Sequence, residues 1–545
     1  MTAINTMMFT NIQDFISQAA SRFAPKTALT HKDQSLSYSE LAAKTNALAS
    51  GLIGADLADF KPSQPRLKPG ERVAVYLPKQ METVISLFAT TTAGCVFVPI
   101  NSLLKPPQVG YILDNCQVSV LITSLSRYRQ LQKTLANNLH LNRILLTDCS
   151  PEDCPENCER WIDQLAQVGT EPLNQARLHI QREPDDIAAI LYTSGSTGQP
   201  KGVVLSHRNL IEGANSVAEY LANHSDDKIL AVLPLSFDYG LSQLTTAFLV
   251  GAEVVLLEYL LPRDVISAVA KYQITGLAAV PPLWMQLADL DWPTDAKQCL
   301  RYITNSGGAM PTTITQKLRT TLPATQVYLM YGLTEAFRST YLDPKELCSR
   351  PTSIGKAIPN ATILVINTKG EICQADEPGE LVHIGVHVSL GYWNNKDKTE
   401  QKFRKLPSQL QSEYGSELAV WSGDIVTRDQ QGFLYFVGRN DDMIKSSGYR
   451  ISPSELEEIA TTHPSVQQVA ALGIAHSQLG QAILLVISLA ANATITKPEL
   501  MKFLKKQLPN YMHPHFLEIA DSLPRNPNGK INRPLLQEKY RQLSS

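Results

Sequence analysis

The sequence predicts an α/β fold: a large N-terminal domain of helix-covered sheets with a small β-barrel-like region, and a small, mobile α+β domain at the C-terminus. Three observations carry this expectation. Short apolar runs alternate with helical stretches early in the chain, short strands separated by Gly and Asp turns take over from 363 to 437, and a dense polar stretch after Gly438 precedes a compact pattern of helix, strand, strand and helix. Length agrees, because 545 residues exceed what one hydrophobic core supports. The expected boundary separates residues 1–437 from 438–545, with a hinge between them.

In chain order, a helical stretch is expected near 38–52, a strand at 72–77, a helix near 81–92 and a strand at 96–100. The rhythm returns with apolar runs at 187–192, 229–233, 253–257, 276–280 and 326–330, each ending near Gly, Pro, Ser or Asp. That alternation suggests a parallel sheet covered by helices, whose ligand sites tend to lie beyond the carboxyl ends of the strands. Two stretches, 56–69 and 148–186, look like surface insertions. The second holds Cys149, Cys154 and Cys158, whose spacings match no common zinc site and whose neighbourhood offers no His, so a surface loop is expected.

Composition narrows the function. Lys plus Arg total 49 against 51 Asp plus Glu, and a net charge of -2 gives no global field for nucleic acid or an acidic membrane. Any bound anion must be held locally. No apolar run approaches the roughly 20 residues that span a bilayer, and the N-terminus lacks a signal-like pattern, so a soluble cytoplasmic protein is expected.

The most informative segment is LYTSGSTGQPKGVVLSH, residues 191–207. An apolar run feeds a loop containing Thr193, Ser194, Gly195, Ser196, Thr197, Gly198, Lys201 and Gly202, followed by a strand-like VVL. Glycines free the backbone to turn N–H groups towards one point, hydroxyls add donors and Lys201 adds charge, which suits a polyphosphate. It is not a Walker loop, which needs Gly-Lys-Ser/Thr opening a helix.

YTSGSTGQPKG closely resembles the signature of the adenylate-forming superfamily, which includes acyl-CoA synthetases, firefly luciferase and nonribosomal peptide synthetase adenylation domains. Further matches occur in the family's order: GGA at Gly307, Gly308 and Ala309; YGLTE from Tyr331 and Gly332 to Thr334 and Glu335; SGD ending at Asp424; GRNDD with Arg439 and Asp441; SGYRISPSELE with Gly448 and Arg450; and NPNGKINR with Lys530. Strings such as SFD, EAFRSTYL and SSGYRISPSELEE resemble those of stand-alone acyl-CoA ligases of the exosortase-associated type.

The resemblance implies carboxylate attack on the α-phosphorus of ATP, then thiol attack on the acyl adenylate. Thr193 to Lys201 would cradle the β- and γ-phosphates, Thr334 would bond the α-phosphate and Glu335 would hold Mg²⁺. Asp424 would accept both ribose hydroxyls, Arg439 would reinforce ribose or phosphate, and Gly307, Gly308 and Ala309 would line the adenine and acyl pocket. Tyr331, followed by Gly332, would stack on adenine. Lys530 would bridge the substrate carboxylate and α-phosphate. For thiol transfer the small domain would swing about Asp441, Gly448 would let a pantetheine arm pass, and Arg450 would contact phosphate in the adenylation pose.

Asp238, in LPLSFDYGLSQ, falls where amino-acid-activating relatives keep the aspartate for the α-ammonium group, although an Asp beside Phe237 and Tyr239 also suits a capped turn. Arg338 lies three residues after Glu335; facing the pocket it would select a polar or anionic substrate group, and the alternative is a structural salt bridge. Trp284 and Met285 are expected in the core. No condensation motif occurs, which suggests a stand-alone enzyme using a small-molecule carboxylate. The acceptor thiol is either CoA or the phosphopantetheine of a separate carrier protein. Two other readings are a luciferase-like oxygenase sharing the adenylation step and a non-catalytic acyl-adenylate binding protein. Intact Lys201, Glu335, Asp424 and Lys530 argue against the last.

Overall fold

A computed structural model describes residues 9–53, 67–166, 180, 182–193, 200–415, 417–439, 443–490, 493–524 and 531–543. Three sheets organise them. One has seven strands in the spatial order Glu159–Arg160, Arg143–Leu146, Val118–Thr123, Arg72–Tyr76, Val96–Pro99, Ile187–Thr193 and Lys201–Ser206; only its last pair is antiparallel. The parallel strands are almost entirely apolar, as burial on both faces requires.

The larger sheet has a parallel centre, in which Lys228–Ala231, Gly276–Ala279, Tyr302–Asn305 and Gln326–Tyr331 are successive neighbours. Helices Tyr38–Ile53, Met81–Thr92, His207–Tyr220 and Asp238–Val250 bury apolar faces in the shared core. Trp284 is fully buried there, its indole N–H donating to the Ala279 and Thr304 carbonyls at 3.1 Å each, while Met285 is half-buried.

The strands of the expected barrel-like region are antiparallel, and they continue the large sheet through Thr340–Leu342 and Ser353–Ala357. Two short helices, Lys396–Lys402 and Ser408–Tyr414, interrupt a stretch the sequence reads as strands and turns. Neither carries an apolar stripe long enough to be seen in the sequence; Asn395 starts the first by accepting from the Lys398 N–H. The 148–186 stretch also differs from a bare surface loop. Cys149, Cys154 and Cys158 pack with Tyr128 in a small apolar cluster, and Trp161 is buried with its indole N–H on Ser86 Oγ.

The third sheet lies C-terminal, with Tyr449–Ile451, Ile444–Ser446, Gly480–Leu489 and Val466–His476 in order and Phe516–Ile519 on Gly480–Leu489. Its core is separate from that of the large sheets. No helix among the described residues is long and apolar enough to cross a membrane.

Candidate active site

The strands Ile187–Thr193 and Lys201–Ser206 form a hairpin in which Thr193 sits opposite Lys201. Ser194, Gly195, Ser196, Thr197 and Gly198, which join these two strands in sequence, lie outside the described residues. A later segment runs beside the hairpin. The Leu390 N–H donates to the Val204 carbonyl at 2.9 Å and the Trp393 N–H to the Gly202 carbonyl at 2.8 Å, which sets Tyr392 across from Val203.

This pairing puts the Tyr392 ring 5.0 Å from the Lys201 ammonium, and its hydroxyl donates to Glu335 Oε1 at 2.6 Å. Glu335 stands in the short turn Thr334–Ala336 that follows strand Gln326–Tyr331 and is 5% exposed. Burial alone would push its carboxyl up, but Lys402, Arg450 and the Tyr392 hydroxyl bring it down to about 2. Burial pulls the Lys201 ammonium down to about 8; Glu335 opposes this, and Lys398, Lys402 and Arg450 reinforce it. Lys201, Lys402 and Arg450 thus act on one carboxylate and Lys398 acts on Lys201, a local excess of positive charge in a chain of net charge -2. Tyr392, Lys398 and Lys402 carry no sequence signal of this role.

A second group lies around Asp424, which is buried in strand Leu418–Arg428. The Tyr331 hydroxyl donates to its Oδ2 at 2.5 Å, and its own N–H donates to Ser422 Oγ at 3.0 Å. Arg439 is its partner in the strand register, and the Arg439 side chain lies outside the described residues. Gly332 follows Tyr331 directly. Gly307, Gly308 and Ala309 follow strand Tyr302–Asn305, with the Asn305 side-chain amide donating to the Gly308 carbonyl at 3.1 Å.

Next to Glu335 the chain makes a tight turn. Phe337 has φ 55° and ψ -44°, and the Arg338 N–H donates to the Ala336 carbonyl at 2.6 Å, a strained γ-turn with positive φ. The Phe337 ring fits only because residue 213 is glycine: a Cβ there would stand 2.2 Å from Phe337 Cδ1. This turn places Arg338 inside the protein, 2% exposed, with Nη1 donating to Asp238 Oδ2 at 3.3 Å and to the Phe337 carbonyl at 3.1 Å.

Asp238 opens helix Asp238–Val250. Burial pushes its carboxyl up, and Arg338, the Tyr239 N–H and the Thr334 hydroxyl act against that. Asp238, expected from the sequence as an ammonium receptor, is paired within the protein. Its carboxylate is engaged by a guanidinium that is distant in sequence and close in space, and a substrate ammonium beside Arg338 would be repelled. Arg338 forms a buried ion pair with Asp238 and lines a cavity.

The C-terminal sheet reaches this region through Gly448. Its φ is 81°, a Cβ there would lie 2.7 Å from Val280 Cγ1, and its carbonyl lies beside Gly307. Arg450, two residues on, acts on both Glu335 and Lys201. Tyr449 stacks on Tyr511 at 4.0 Å, and the Gln108 side-chain amide donates to buried Glu455 at 3.1 Å. Asp441 and Lys530 lie outside the described residues.

Comparison with known proteins identifies the family. Residues 16–393 match the AMP-binding enzyme family and residues 455–530 its C-terminal domain. A linear gramicidin synthase of Brevibacillus parabrevis is 29% identical over 96% of this chain, which spans 6% of that synthase. A long-chain-fatty-acid–CoA ligase of Escherichia coli O6:H1 is 26% identical over 99% of this chain and 96% of its own length. Among solved structures, a double mutant of o-succinylbenzoate CoA synthetase from Bacillus subtilis, bound to a product analogue, has 24% identity, covers 97% of this chain and 98% of its own, and superposes with a TM-score of 0.81. The same synthetase in complex with AMP gives 0.66 at similar coverage. The chain belongs to the AMP-binding enzyme family of adenylate-forming ligases and carries matches to both its main and its C-terminal domain.

Proposed function

We propose that the protein is an ATP-dependent acid–thiol ligase acting on a small carboxylic acid. The observation that carries this reading is the set of cations Lys201, Lys402 and Arg450 acting on buried and ionised Glu335, with Lys398 acting on Lys201, beside the Thr193–Lys201 hairpin. Such a site suits a polyphosphate with one coordinating carboxylate. In the first half-reaction a substrate carboxylate oxygen attacks the α-phosphorus, the bond to the bridging oxygen breaks, and pyrophosphate leaves. In the second, a thiol sulfur attacks the acyl carbonyl, the carbon–oxygen bond to AMP breaks, AMP leaves and the thiol proton passes to solvent.

Mg²⁺ fits the Glu335 side of the site. A carboxylate held ionised beside a polyanion site offers a hard oxygen, and Mg²⁺ commonly binds through one or two carboxylates plus phosphate oxygens. When bound it would neutralise phosphate charge. Among the described residues no cluster of three or more His, Cys, Asp or Glu would hold a cation alone. Asp424 would bind ribose with Tyr331 at its side, and Thr193 with the loop up to Lys201 would grip the β- and γ-phosphates.

We place Lys530 at the reacting carboxylate, Asp441 at the hinge, and Gly448 beside the thiol's path. The contact of Gly448 with Val280 and Gly307, and the better superposition on the product-analogue complex than on the AMP complex of one synthetase, support a thiol-transfer pose. CoA or a separate carrier's phosphopantetheine would supply the sulfur. ATP–pyrophosphate exchange across a panel of acids, followed by thioester formation with CoA or a carrier, tests the reading. Failure of Mg·ATP to stabilise the protein, with no exchange on any acid, overturns it.

A further inference from the structure

Arg338 is buried with three of its five N–H donors unused. Nη1 serves Asp238 and the Phe337 carbonyl, whereas Nε and Nη2 have no partner among the described residues although both are shielded from solvent. Nε–H and Nη2–H lie on one edge of the guanidinium and point the same way, which is the fork that receives the two oxygens of a carboxylate. Protein interiors rarely leave such donors unpaired, because the desolvation of a cation is costly without compensation. The guanidinium is held by the strained turn at Phe337 and by the Tyr239 ring, 4.8 Å from its central carbon. It is fixed in place rather than collapsed onto a protein acceptor.

The same residue lines a cavity with Tyr239, Ser242, Thr246, Tyr302 and Met330. Ser242 and Thr246 lie one turn apart on helix Asp238–Val250, so both present to one face. Their hydroxyls are buried and, like the Arg338 edge, without partners among the described residues. The free space is small, about 10 Å³ for the centre of a water-sized sphere and so room for about one water, and a carboxylate enters only if the side chains around it move. Tyr302 is buried and Met330 accepts from the Tyr220 hydroxyl at 3.1 Å.

Resting on the ligase reading, we propose that the substrate is a short dicarboxylic acid, with one carboxylate adenylated and the distal one bound by the Nε/Nη2 edge of Arg338 with Ser242 and Thr246. Asp238 is then a positioning residue that holds Nη1 and aims the free edge into the cavity. An amino acid is disfavoured, because its ammonium would meet a guanidinium and an aspartate already engaged.

The test is ATP–pyrophosphate exchange by the full chain with Mg·ATP and succinate, glutarate, adipate and phthalate. Their monomethyl esters, butyrate, hexanoate, palmitate, alanine and phenylalanine serve as comparators. At least one diacid is expected to exceed its own monomethyl ester by about a hundredfold or more in kcat/KM, since a site built around a polar group rejects analogues lacking it. Arg338→Met should abolish that ratio while keeping the thermal shift produced by Mg·ATP, and Arg338→Lys should restore it only in part. Thr246→Val, which keeps shape and removes the hydroxyl, should lower the ratio without loss of folding. If monoacids or amino acids outpace every diacid, the inference falls and the ligase reading stands. If Mg·ATP stabilises the protein yet no diacid supports exchange, the inference falls as well. If Mg·ATP does not bind and no acid reacts, the ligase reading falls with it.

Discussion

The Tyr392 hydroxyl donates to Glu335 Oε1 at 2.6 Å while the Tyr392 ring faces the Lys201 ammonium at 5.0 Å. One side chain thus touches both the carboxylate and the cation of the proposed phosphate site. Tyr392→Phe keeps the ring and deletes the hydrogen bond. A bond to a charged group contributes about 1.5–3 kcal/mol, so the variant should lose roughly ten- to a hundredfold in ATP–pyrophosphate exchange, with a higher Mg²⁺ requirement. Acid stability should change as well. The Glu335 carboxyl titrates at about 2 in the fold against an ordinary 4.5, so its stabilising contribution is present above 4.5 and lost as pH falls through about 2. Removing the hydroxyl raises the lower limit, so in a scan from pH 5 downwards the acid loss of melting temperature should end at a higher pH and be smaller than in the wild type.

Lys201 makes a prediction on the alkaline side. Its ammonium, drawn down to about 8 chiefly by burial, is charged below that pH and progressively neutral above it. Affinity for ATP should therefore weaken as pH rises through about 8. Lys201→Arg keeps its charge because guanidinium does not titrate in this range, and its nucleotide affinity should be flat between pH 7 and 9. Titration with a fluorescent ATP analogue at both pH values reads the difference directly. A wild-type affinity that is equally flat would remove Lys201 from the phosphate contact.

Much of this site is legible in the sequence, and the parts that are not share one cause. Thr193, Lys201, Glu335 and Asp424 lie in short local strings whose residue types already suit phosphate or ribose. Tyr392 reaches its place because its backbone bridges Val203, a pairing between distant segments that no local pattern announces. Asp238 shows the converse. Its position in the chain suggests an ammonium receptor, yet the partner that occupies it lies 100 residues further on and is turned inward by the unusual backbone of Phe337. Strand positions are easier to read, because apolar runs at 72–77 and 187–192 respond to burial on both faces, whereas the polar helices 396–402 and 408–414 depend on caps and neighbours.

Lys530→Ala should leave the fold unaffected, as judged by circular dichroism and melting temperature. Adenylate formation should fall by roughly two to three orders of magnitude, as expected when one preorganised transition-state donor is removed. Thioester formation from a chemically prepared acyl adenylate should be nearly unchanged, because the first barrier is bypassed. Unchanged pyrophosphate exchange would refute the assignment.

Gly448→Leu separates the half-reactions from the other direction. The left-handed backbone at φ 81° disfavours a side chain, and Val280 leaves a Cβ only 2.7 Å. The docked contact with Gly307 and Val280 should be lost, blocking thioester formation while adenylate accumulates. Rapid-quench separation of acyl-AMP from thioester distinguishes this from a general loss of activity.

The contact between Glu455 and Gln108 joins the two parts of the chain across 347 residues. Burial pushes the Glu455 carboxyl up to about 7, with the Gln108 hydrogen bond a smaller opposing effect and Glu458 a further push upward. The sign follows from linkage. When the interface opens, the carboxyl returns towards 4.5; docking is unpenalised below that pH, and its penalty grows until pH passes about 7, where the buried group must also ionise. The docked pose should thus loosen between about pH 4.5 and 7. Glu455→Gln keeps the shape and the hydrogen-bonding capacity but cannot ionise, so its pose should be independent of pH in this range. A fluorescence energy-transfer pair placed on helix Lys497–Gln507 and helix Leu125–Leu135 should report greater separation at pH 8 than at pH 5 in the wild type and no change in the variant. A wild-type signal that is constant across this interval would show that Glu455 does not govern the pose.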